Sequence, residues 1–275
     1  MERQAVLAAF DQHIRRRPQP DALDGYVEQE ARVIRSISCG EAWTGVTWSD
    51  LDEANANSVI AAQISRFAEL SRPWEWKHYS YDQPRDLPYR LIAAGFTPQP
   101  VEAVLVAEIA ELPLDAPPPP GVELLAVVDQ HGADALVRVH DQVFGGDHAP
   151  VGRTVLASLA REPATAAAVV AWAGQTPIAA GRVEFHAGTD FASLWGGGTL
   201  PAWRRRGVFR SLVAYRAALA SARGFRYLQV DATPDSRPIL QRLGFVQLAT
   251  TTPFIHPGGN QLTSQQSNSA EGRGA

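Results

Sequence analysis

The strongest chemical signal in the sequence is an arginine-rich loop that connects an apolar segment to a helix. Residues 194–210 read Leu-Trp-Gly-Gly-Gly-Thr-Leu-Pro-Ala-Trp-Arg-Arg-Arg-Gly-Val-Phe-Arg. The first turn of a helix carries free N–H groups and the positive end of the helix dipole, so it binds anions. Gly207 lets the backbone approach a phosphate closely, and the arginines add charge-assisted donors. The loop therefore predicts a site for a pyrophosphate or a similar anion, the alternative being a solvated basic helix start.

Strands and helices that alternate along the chain must position this loop. Asp129 is a suitable N-cap for a helix that reaches about Phe144, and Gly224 is suited to end the helix that follows the loop. The pattern predicts strands at 122–128, 166–172, 178–186, 191–196, 227–231 and 245–255, and helices at 129–144, 154–161, 207–223 and 235–243. Such alternation around one mixed sheet predicts an α/β or α+β layer fold.

Composition divides the chain into two globular parts and a tail. A proline run, Pro117 to Pro120, favours extended backbone and predicts a semi-rigid linker over 113–121. Beyond Pro257 the chain is rich in Gly, Ser, Gln and Asn, and Leu262 is its only large apolar side chain. Such a segment buries too little surface to offset its ordering entropy, so residues 258–275 are expected to be disordered. The two globular parts are then 1–112 and 122–257.

An internal repeat relates the two parts. Sliding the first part onto the second by 149 positions brings several side chains into register, and both copies then show helix, strand, short helix, Gly-Phe and strand. The aligned residues are Asp82 with Asp231, Asp86 with Asp235, Leu91 with Leu240, and Gly95-Phe96 with Gly244-Phe245. Agreement of the whole order predicts that the chain contains two copies of one structural unit.

The arginine loop and the elements after it resemble the GNAT family of N-acetyltransferases. The family's pyrophosphate loop reads Arg/Gln-x-x-Gly-x-Gly/Ala after a strand that ends in an apolar-x-Pro step. This sequence has Thr199-Leu200-Pro201 and then Arg204-x-x-Gly207-x-Phe209, so Phe209 stands where the family has Gly or Ala. The resemblance implies the acyl-CoA N-acyltransferase fold: a mixed, mostly antiparallel central sheet flanked by helices, here in two tandem copies with a degenerate first copy.

The resemblance also implies a reaction, in which an acetyl group passes from acetyl-CoA, the cosubstrate, to a primary amine by direct attack. The pantetheine arm would lie along the glycine-rich strand, where Gly196-Gly197-Gly198 suits close backbone approach or a bulge. The first copy lacks the loop glycine and is expected to complete the sheet, to shape the acceptor cleft or to mediate self-association as a homodimer. The residues assigned to the cofactor are Gly198, Thr199, Leu200, Arg204, Arg205, Arg206, Gly207, Val208, Phe209 and Arg210.

Proton transfer is harder to assign. Family members often place a Tyr four residues before the Gly of Gly-Phe, but that position is Leu240 here, which cannot donate a proton. Ser236 is the candidate donor or thiol contact, with Asp235 beside it, although both residue types also cap helices. Glu184 is the candidate base, because a carboxylate on a central strand is costly unless it faces a cleft or has a partner. Asp231 is the second candidate, although its repeat as Asp82 favours a structural role.

Composition excludes several other function classes. The net charge of -4 and the lack of a wider basic face argue against nucleic-acid binding. The longest apolar stretch, Ala166 to Ala173, is too short to span a bilayer. A polar cluster near Asp141 and His148 predicts a polar loop rather than a metal site. Cys39 is the only cysteine, the N-terminus has no apolar leader, and Lys77 is the only lysine, which together predict a cytoplasmic protein from a GC-rich bacterium.

Two functions remain open on the sequence. The first is an N-acetyltransferase acting on a small-molecule or peptide amine. The second is a non-catalytic acyl-CoA-binding sensor or interaction module, which Leu240 and Phe209 favour because both depart from the family pattern. Neither the acceptor nor the length of the acyl chain follows from the sequence.

Overall fold

The computed structural model describes residues 1–20, 25–38, 42–70 and 72–258, so Cys39 and all but the first residue of the predicted tail lie outside the described residues. The helices are α1 (Arg3–Phe10), α2 (Ala56–Ala68), α3 (Leu87–Ala93), α4 (Gln130–Phe144), α5 (Ala149–Leu159), α6 (Val208–Ala222) and α7 (Arg237–Arg242). The strands are β1 (Tyr26–Glu30), β2 (Val33–Ile37), β3 (Gly45–Ser49), β4 (Trp74–Tyr79), β5 (Thr97–Pro98), β6 (Glu102–Glu108), β7 (Val122–Ala126), β8 (Ala166–Ala173), β9 (Thr176–Phe185), β10 (Phe191–Thr199), β11 (Tyr227–Ala232) and β12 (Val246–His256). A π-helical turn, Asp11–Arg15, continues α1.

The strands form one sheet across the described residues. Their order is β1-β2-β3-β4-β12-β6-β11-β10-β9-β8-β7, and β5 pairs with β12 off this path. Two neighbouring pairs are parallel, β3 with β4 and β10 with β11, and the other pairings are antiparallel. The predicted mixed, mostly antiparallel sheet flanked by helices is therefore confirmed.

The two parts exchange their last strands at the centre of the sheet. The C-terminal strand β12 pairs with β4 of the first part, where Phe254 lies opposite Trp76. In the same way β6 of the first part pairs with β11 of the second, where Leu105 lies opposite Val230. Strands β6 and β12 pair with each other between them. Each part thus completes the sheet of the other, and the strands of both parts form one continuous sheet.

Helices cover both faces of this sheet, as the alternation of side chains along the strands requires. On one face, α2 and α3 pack on Trp74 and Trp76, while α6 and α7 pack on a cluster around Leu228. On the other face, Phe10 of α1 packs on Tyr79, Val104, Val106 and Phe191, and α4 and α5 cover β8 and β9. Because α1 and α4 leave a gap between them over the central strands, that face carries the cleft described below.

The repeat is reproduced closely at the two short helices. Phe96 donates its backbone N–H to Leu91, and Phe245 donates to Leu240, each over 3.1 Å. Both leucines are fully buried, and Gly95 and Gly244 take positive φ values of 95° and 107° at the helix ends. Leu240 therefore packs in the core between α7 and the sheet.

The strands of the two copies do not follow the same offset. Asp231 lies inside β11, whereas Asp82 lies in the turn after β4, so the equivalence of these two carboxylates was wrong. The physical reason is loop length: the connection from β4 to α3 is longer than the connection from β11 to α7, and the offset changes across it.

The symmetric leucines provide a test of the repeat. Truncating a buried leucine removes apolar contacts and leaves a cavity, which costs about 2–5 kcal/mol. We expect Leu240→Ala and Leu91→Ala each to lower the free energy of unfolding by an amount in this range, measured by urea titration. A loss below about 0.5 kcal/mol, as for a surface substitution, would contradict the buried position of either residue.

Candidate functional site

A β-bulge in β10 separates two parallel strands at the centre of the second part. Trp195 lies opposite Arg182 and Gly198 opposite Ala180, so Gly196 and Gly197 together face the single residue between them on β9. Strand β10 pairs with β11 only over 191–193, and no further pairing joins the two described strands beyond Ser193. The two strands diverge from that point, and the described part of β11 offers no ladder partner to the backbone of β10 beyond Ser193.

Close packing on both sides explains the glycines of the bulge. A Cβ atom on Gly196 would lie 2.6 Å from the ring of His140, and one on Gly198 would lie 3.0 Å from Val143, both on α4. A Cβ atom on Gly197 would lie 3.2 Å from the ring of Phe209 on the opposite face. Burial lowers the pKa of His140 to about 4, so the neutral ring donates from Nε2 to the carbonyl of Gly196 over 2.8 Å. A side chain in this run would push α4 or α6 off the sheet.

A buried arginine supports the bulge from the other face. Arg216 on α6 is 1% exposed, and its Nη1 donates to the backbone carbonyl of Arg182 over 3.2 Å. Burial and the nearby Arg182 lower the pKa of Arg216 to about 9. Among the ion pairs of the described chain, none joins Arg216 to a carboxylate. Backbone carbonyls solvate this charge, which ties α6 to the strands that flank the opening.

The arginine loop continues directly from this opening. A 3-10 turn, Pro201–Trp203, follows β10, and Arg204 Nε donates to the backbone carbonyl of Thr199 over 3.1 Å. Gly207 is the N-cap of α6 and has a left-handed φ of 89°, with open space around the position of a Cβ atom. Residues 204–207 are exposed. Because a glycine N-cap has no side chain to accept from the first-turn N–H groups, the loop presents free donors and arginines to solvent.

Phe209, the departure from the family pattern, lies on the core side of α6. Its ring packs against the apolar cluster between α6 and the sheet, directly below Gly197. The side chain therefore contributes to helix packing and leaves the exposed end of the loop open.

The corresponding helix end in the first part is filled by the protein's own carboxylate. Asp52 Oδ1 accepts from the N–H groups of Ala54 and Asn55 at the start of α2, each over 2.9 Å. An anion already occupies the position that a phosphate would take. The predicted loss of the anion site in the first copy is consistent with this contact.

The opening between β3 and β4 in the first part is also filled. Those parallel strands pair only over 45–46 and 75–76, and Arg15 enters beyond that point. Its Nε donates to the carbonyl of Thr47 over 3.2 Å, its Nη1 lies 2.9 Å from Asp82, and its guanidinium lies 3.9 Å from the ring centre of Tyr79. A buried, fully paired arginine thus closes the space that remains open in the second part.

A cleft of about 390 Å³ lies beside the opening in the second part. Its walls come from both parts of the chain, including Glu184 and Trp195 from the second and Glu75, Lys77 and Glu102 from the first. The carboxylate of Glu184 accepts from Arg182 Nε over 2.8 Å. Ser236 does not line this cleft: it is the N-cap of α7, and its Oγ lies 3.2 Å from the hydroxyl of Thr233.

An ion pair between the two parts crosses the floor of the cleft. Lys77 Nζ on β4 lies 2.7 Å from Asp231 Oδ2 on β11, although strands β12 and β6 lie between these two strands in the sheet. Burial opposes the charge on Lys77, but Asp231, together with Tyr79 and Glu75, outweighs that effect and holds the lysine pKa well above its usual range. Gln229 Nε2 donates to the other oxygen, Asp231 Oδ1, over 2.8 Å. Both oxygens of Asp231 are therefore occupied by protein donors.

Two further carboxylates of the cleft, Glu75 and Glu102, do not have described protein donors on both oxygens. Burial, with a contribution from Asp231 and Glu75, raises the pKa of Glu102 to about 7 against the attraction of Lys77. Glu75 Oε2 accepts from Trp43 Nε1 over 2.8 Å, whereas Glu75 Oε1 is buried and has no hydrogen-bond partner among the described residues. Trp195 Nε1 is likewise buried and unpaired. The cleft thus presents one acceptor and one donor that its own residues do not satisfy.

Glu75 and Glu102 did not emerge from the sequence as candidates because they lie in the part that lost its phosphate loop. Only the exchange of β6 and β12 brings Glu102 to the edge of the second part. The one available signal was the pattern Glu75-x-Lys77 within an aromatic strand, since charges at alternate positions of a buried strand require a cleft or partners.

The polar cluster near 140–148 is held by internal hydrogen bonds. Asp141 Oδ1 accepts from both the backbone N–H and Nδ1 of His148, over 2.9 and 3.0 Å. Over the part of the chain that the structure describes, no group of three or more His, Cys, Asp or Glu residues is arranged to hold a metal ion. No described helix is both long and apolar enough to cross a bilayer.

Comparison with known proteins supports the fold. No family model matches the sequence, and the search of curated proteins also found no match. The structure is similar to a GCN5-related N-acetyltransferase from Kribbella flavida, with a TM-score of 0.69, 19% identity, and coverage of 95% of this chain and 98% of the other. A GCN5-related N-acetyltransferase from Sphaerobacter thermophilus matches with a TM-score of 0.59, 14% identity and coverage of 83% and 78%.

A tandem protein is also similar to the whole chain. The tandem GNAT protein from the clavulanic acid biosynthesis pathway matches with a TM-score of 0.54 and 12% identity, over 88% of this chain and 86% of the other. The chain therefore has the GNAT acyl-CoA N-acyltransferase fold, in two tandem copies. The resemblance inferred from the arginine loop is confirmed at the level of the fold.

The open helix end makes a prediction about anion binding. Gly207→Glu places a carboxylate where the free N–H groups of α6 begin, so we expect the affinity for CoA to fall at least tenfold in calorimetric titration. Gly224→Glu is the matched control, because Gly224 also has a positive φ, of 80°, and open space but lies at the opposite end of α6. Unchanged CoA affinity in folded Gly207→Glu, or an equal loss in both variants, would contradict the site.

The raised pKa of Glu102 makes a prediction about stability. Below its ordinary pKa of 4.5 the group is protonated in both states, and above about 7 the folded chain must hold a charge that the unfolded chain hydrates. Native-state stability is therefore lost as pH rises from 4.5 through 7. We expect Glu102→Gln to raise Tm at pH 8 and to leave it nearly unchanged at pH 4. A pH-independent difference, or the same profile for Glu108→Gln on the same face of β6, would contradict this account.

Proposed function

We propose that this protein is an acetyl-CoA-dependent N-acetyltransferase that moves an acetyl group from the CoA thioester to a primary amine by direct attack. One observation carries the proposal. The opening between β10 and β11 leads at one end to the free N-terminus of α6 with its arginines, and it borders a cleft lined by carboxylates. A pyrophosphate-bearing thioester fits the positive environment of the arginines and the helix N-terminus. A cationic amine fits the neighbouring cleft, because carboxylates line it.

The cofactor would run from the loop into the opening. The exposed arginines and the first-turn N–H groups of Val208 and Phe209 suit the pyrophosphate, and the backbone of 198–200 suits the amide groups of the pantetheine arm. Backbone donors along the diverging strand are also suited to hold the thioester carbonyl as it becomes an oxyanion. Since Asp52 and Arg15 fill the matching positions of the first part, we infer one CoA per chain.

The acceptor would lie in the cleft between the two parts. A carboxylate there must take a proton from the amine, because only the neutral amine attacks the thioester. Glu184, the base predicted from the sequence, lines this cleft. The proposed role of Ser236 at the departing thiolate stays a prediction, and its hydroxyl would have to leave Thr233 to fulfil it. The cytoplasm of a bacterium remains the proposed location.

The alternative is an acyl-CoA-binding protein without turnover. Leu240 supports this alternative, because it is 1% exposed and occupies the position where related enzymes often have a proton-donating Tyr. A transferase of this kind must protonate the thiolate from another group or from water, whereas a sensor needs no such group.

Thiol release distinguishes these two functions. We expect acetyl-CoA to lose its thioester at a rate that saturates with the concentration of small primary amines, and calorimetry to give one CoA per chain. Tight CoA binding without amine-dependent thiol release across a broad amine panel would favour the sensor. A stoichiometry near two per chain would contradict the filled first copy.

A further inference from the structure

We propose that the first part supplies the acceptor-binding chemistry: Glu102 on β6 takes the proton from the acceptor amine, and Glu75 on β4 binds a second N–H group of the same molecule. This inference rests on the proposed acetyl transfer and deepens it. It assigns the degenerate copy a direct role at the reacting atoms, and it defines the acceptor as a small molecule with two cationic or N–H groups.

Position along the strands favours Glu102 over Glu184. Glu184 lies opposite Ser193, which is itself paired with Gln229 where β10 and β11 are still joined. On the other side of the opening, β6 runs antiparallel to β11, and Ala103 lies opposite Ala232, the last paired residue of β11. Glu102 therefore lies one position beyond the end of that pairing. Along the strand direction, Glu102 is thus level with the part of the opening where β10 and β11 have separated and where the thioester would lie. Glu184 is level with the end at which the two strands are still paired.

Availability of the carboxylate points the same way. Glu184 accepts from Arg182, and both oxygens of Asp231 accept from Lys77 and Gln229. No ion pair between described residues involves Glu102. The charged groups that face it are Lys77 and Glu75 from β4 and Asp231 from β11. A base must be free to accept a proton, and of these carboxylates Glu102 is the one without a donor already bound to it.

The unpaired carboxylates also define the charge of the acceptor. Lys77 pairs with Asp231, and Arg182 pairs with Glu184, which leaves Glu75 and Glu102 without an ion-pair partner among the described residues of the cleft. Glu75 Oε1 is buried and unbonded, and such an atom costs free energy until a donor reaches it. A diamine satisfies both groups, since one amino group faces Glu102 and the other donates to Glu75.

The proton balance of the step is complete with these groups. The ammonium of the acceptor gives one proton to the carboxylate of Glu102, and the neutral amine forms the C–N bond to the thioester carbon. The C–S bond breaks, the second proton of the nitrogen passes to the CoA sulfur, and the products are the amide and the thiol. Glu102 then releases its proton to solvent, so one proton is released per turnover.

The pH dependence of kcat/KM tests the role of Glu102. In the full chain with 1,4-diaminobutane as acceptor, we expect kcat/KM to rise with pH and to level off above an apparent pKa near 7. Glu102→Gln should lower kcat about 100-fold or more and remove this limb, while CoA affinity stays within twofold. Glu108→Gln, a carboxyl on the same face of the same strand, should retain both rate and profile.

The choice of acceptor tests Glu75. We expect butylamine to be a poorer acceptor than 1,4-diaminobutane by at least tenfold in kcat/KM, and Glu75→Gln to abolish most of that preference through KM. Loss of the pH limb in Glu184→Gln but not in Glu102→Gln, or equal use of the two amines by the native protein, would overturn the inference. Absence of thiol release with every amine, or of CoA binding, would instead overturn the proposed function.

Discussion

The candidate site of this protein depends on the separation of two parallel strands, β10 and β11. Strand β10 is no longer paired with β11 beyond Ser193 and carries an extra residue just after that point, and the glycines of this bulge fit between His140 on one face and Phe209 on the other. Arg216 then fixes α6 against the strands through backbone carbonyls. The opening, the exposed end of α6 and the adjoining cleft all follow from this one break in the hydrogen-bond ladder.

The two copies of the fold resolve the same break in opposite ways. In the first copy Arg15 enters the gap between the strands, and Asp52 caps the helix that would face a phosphate. In the second copy no such side chain is found among the described residues: backbone lines the opening between the strands, and Gly207 and exposed arginines stand at the start of α6. A site is thus retained or lost through a few side chains that satisfy the backbone, while the buried leucines of the short helices keep both copies folded.

Local patterns predicted the parts of this structure that depend on local contacts. The capping residue Asp129, the glycine that ends α6, the bulge glycines and the packing role of Leu240 each depend on neighbours in sequence or on backbone geometry. The exchange of β6 and β12 depends on pairing between distant segments, which composition and periodicity do not encode. Glu75 and Glu102 were missed for that reason, and the false match of Asp82 with Asp231 arose because a loop of different length shifts the register between strand and helix.

The exchanged strand has a consequence for how the chain reaches its native state. The contact between Thr251 and His78 joins residues 173 positions apart, so the centre of the sheet is built from pairings of high contact order. During synthesis the edge of β4 has no native neighbour until β12 leaves the ribosome. The first 112 residues then expose one unpaired edge of an aromatic-rich strand to the cell, and a chain that stops short of β12 presents that edge as a template for aggregation.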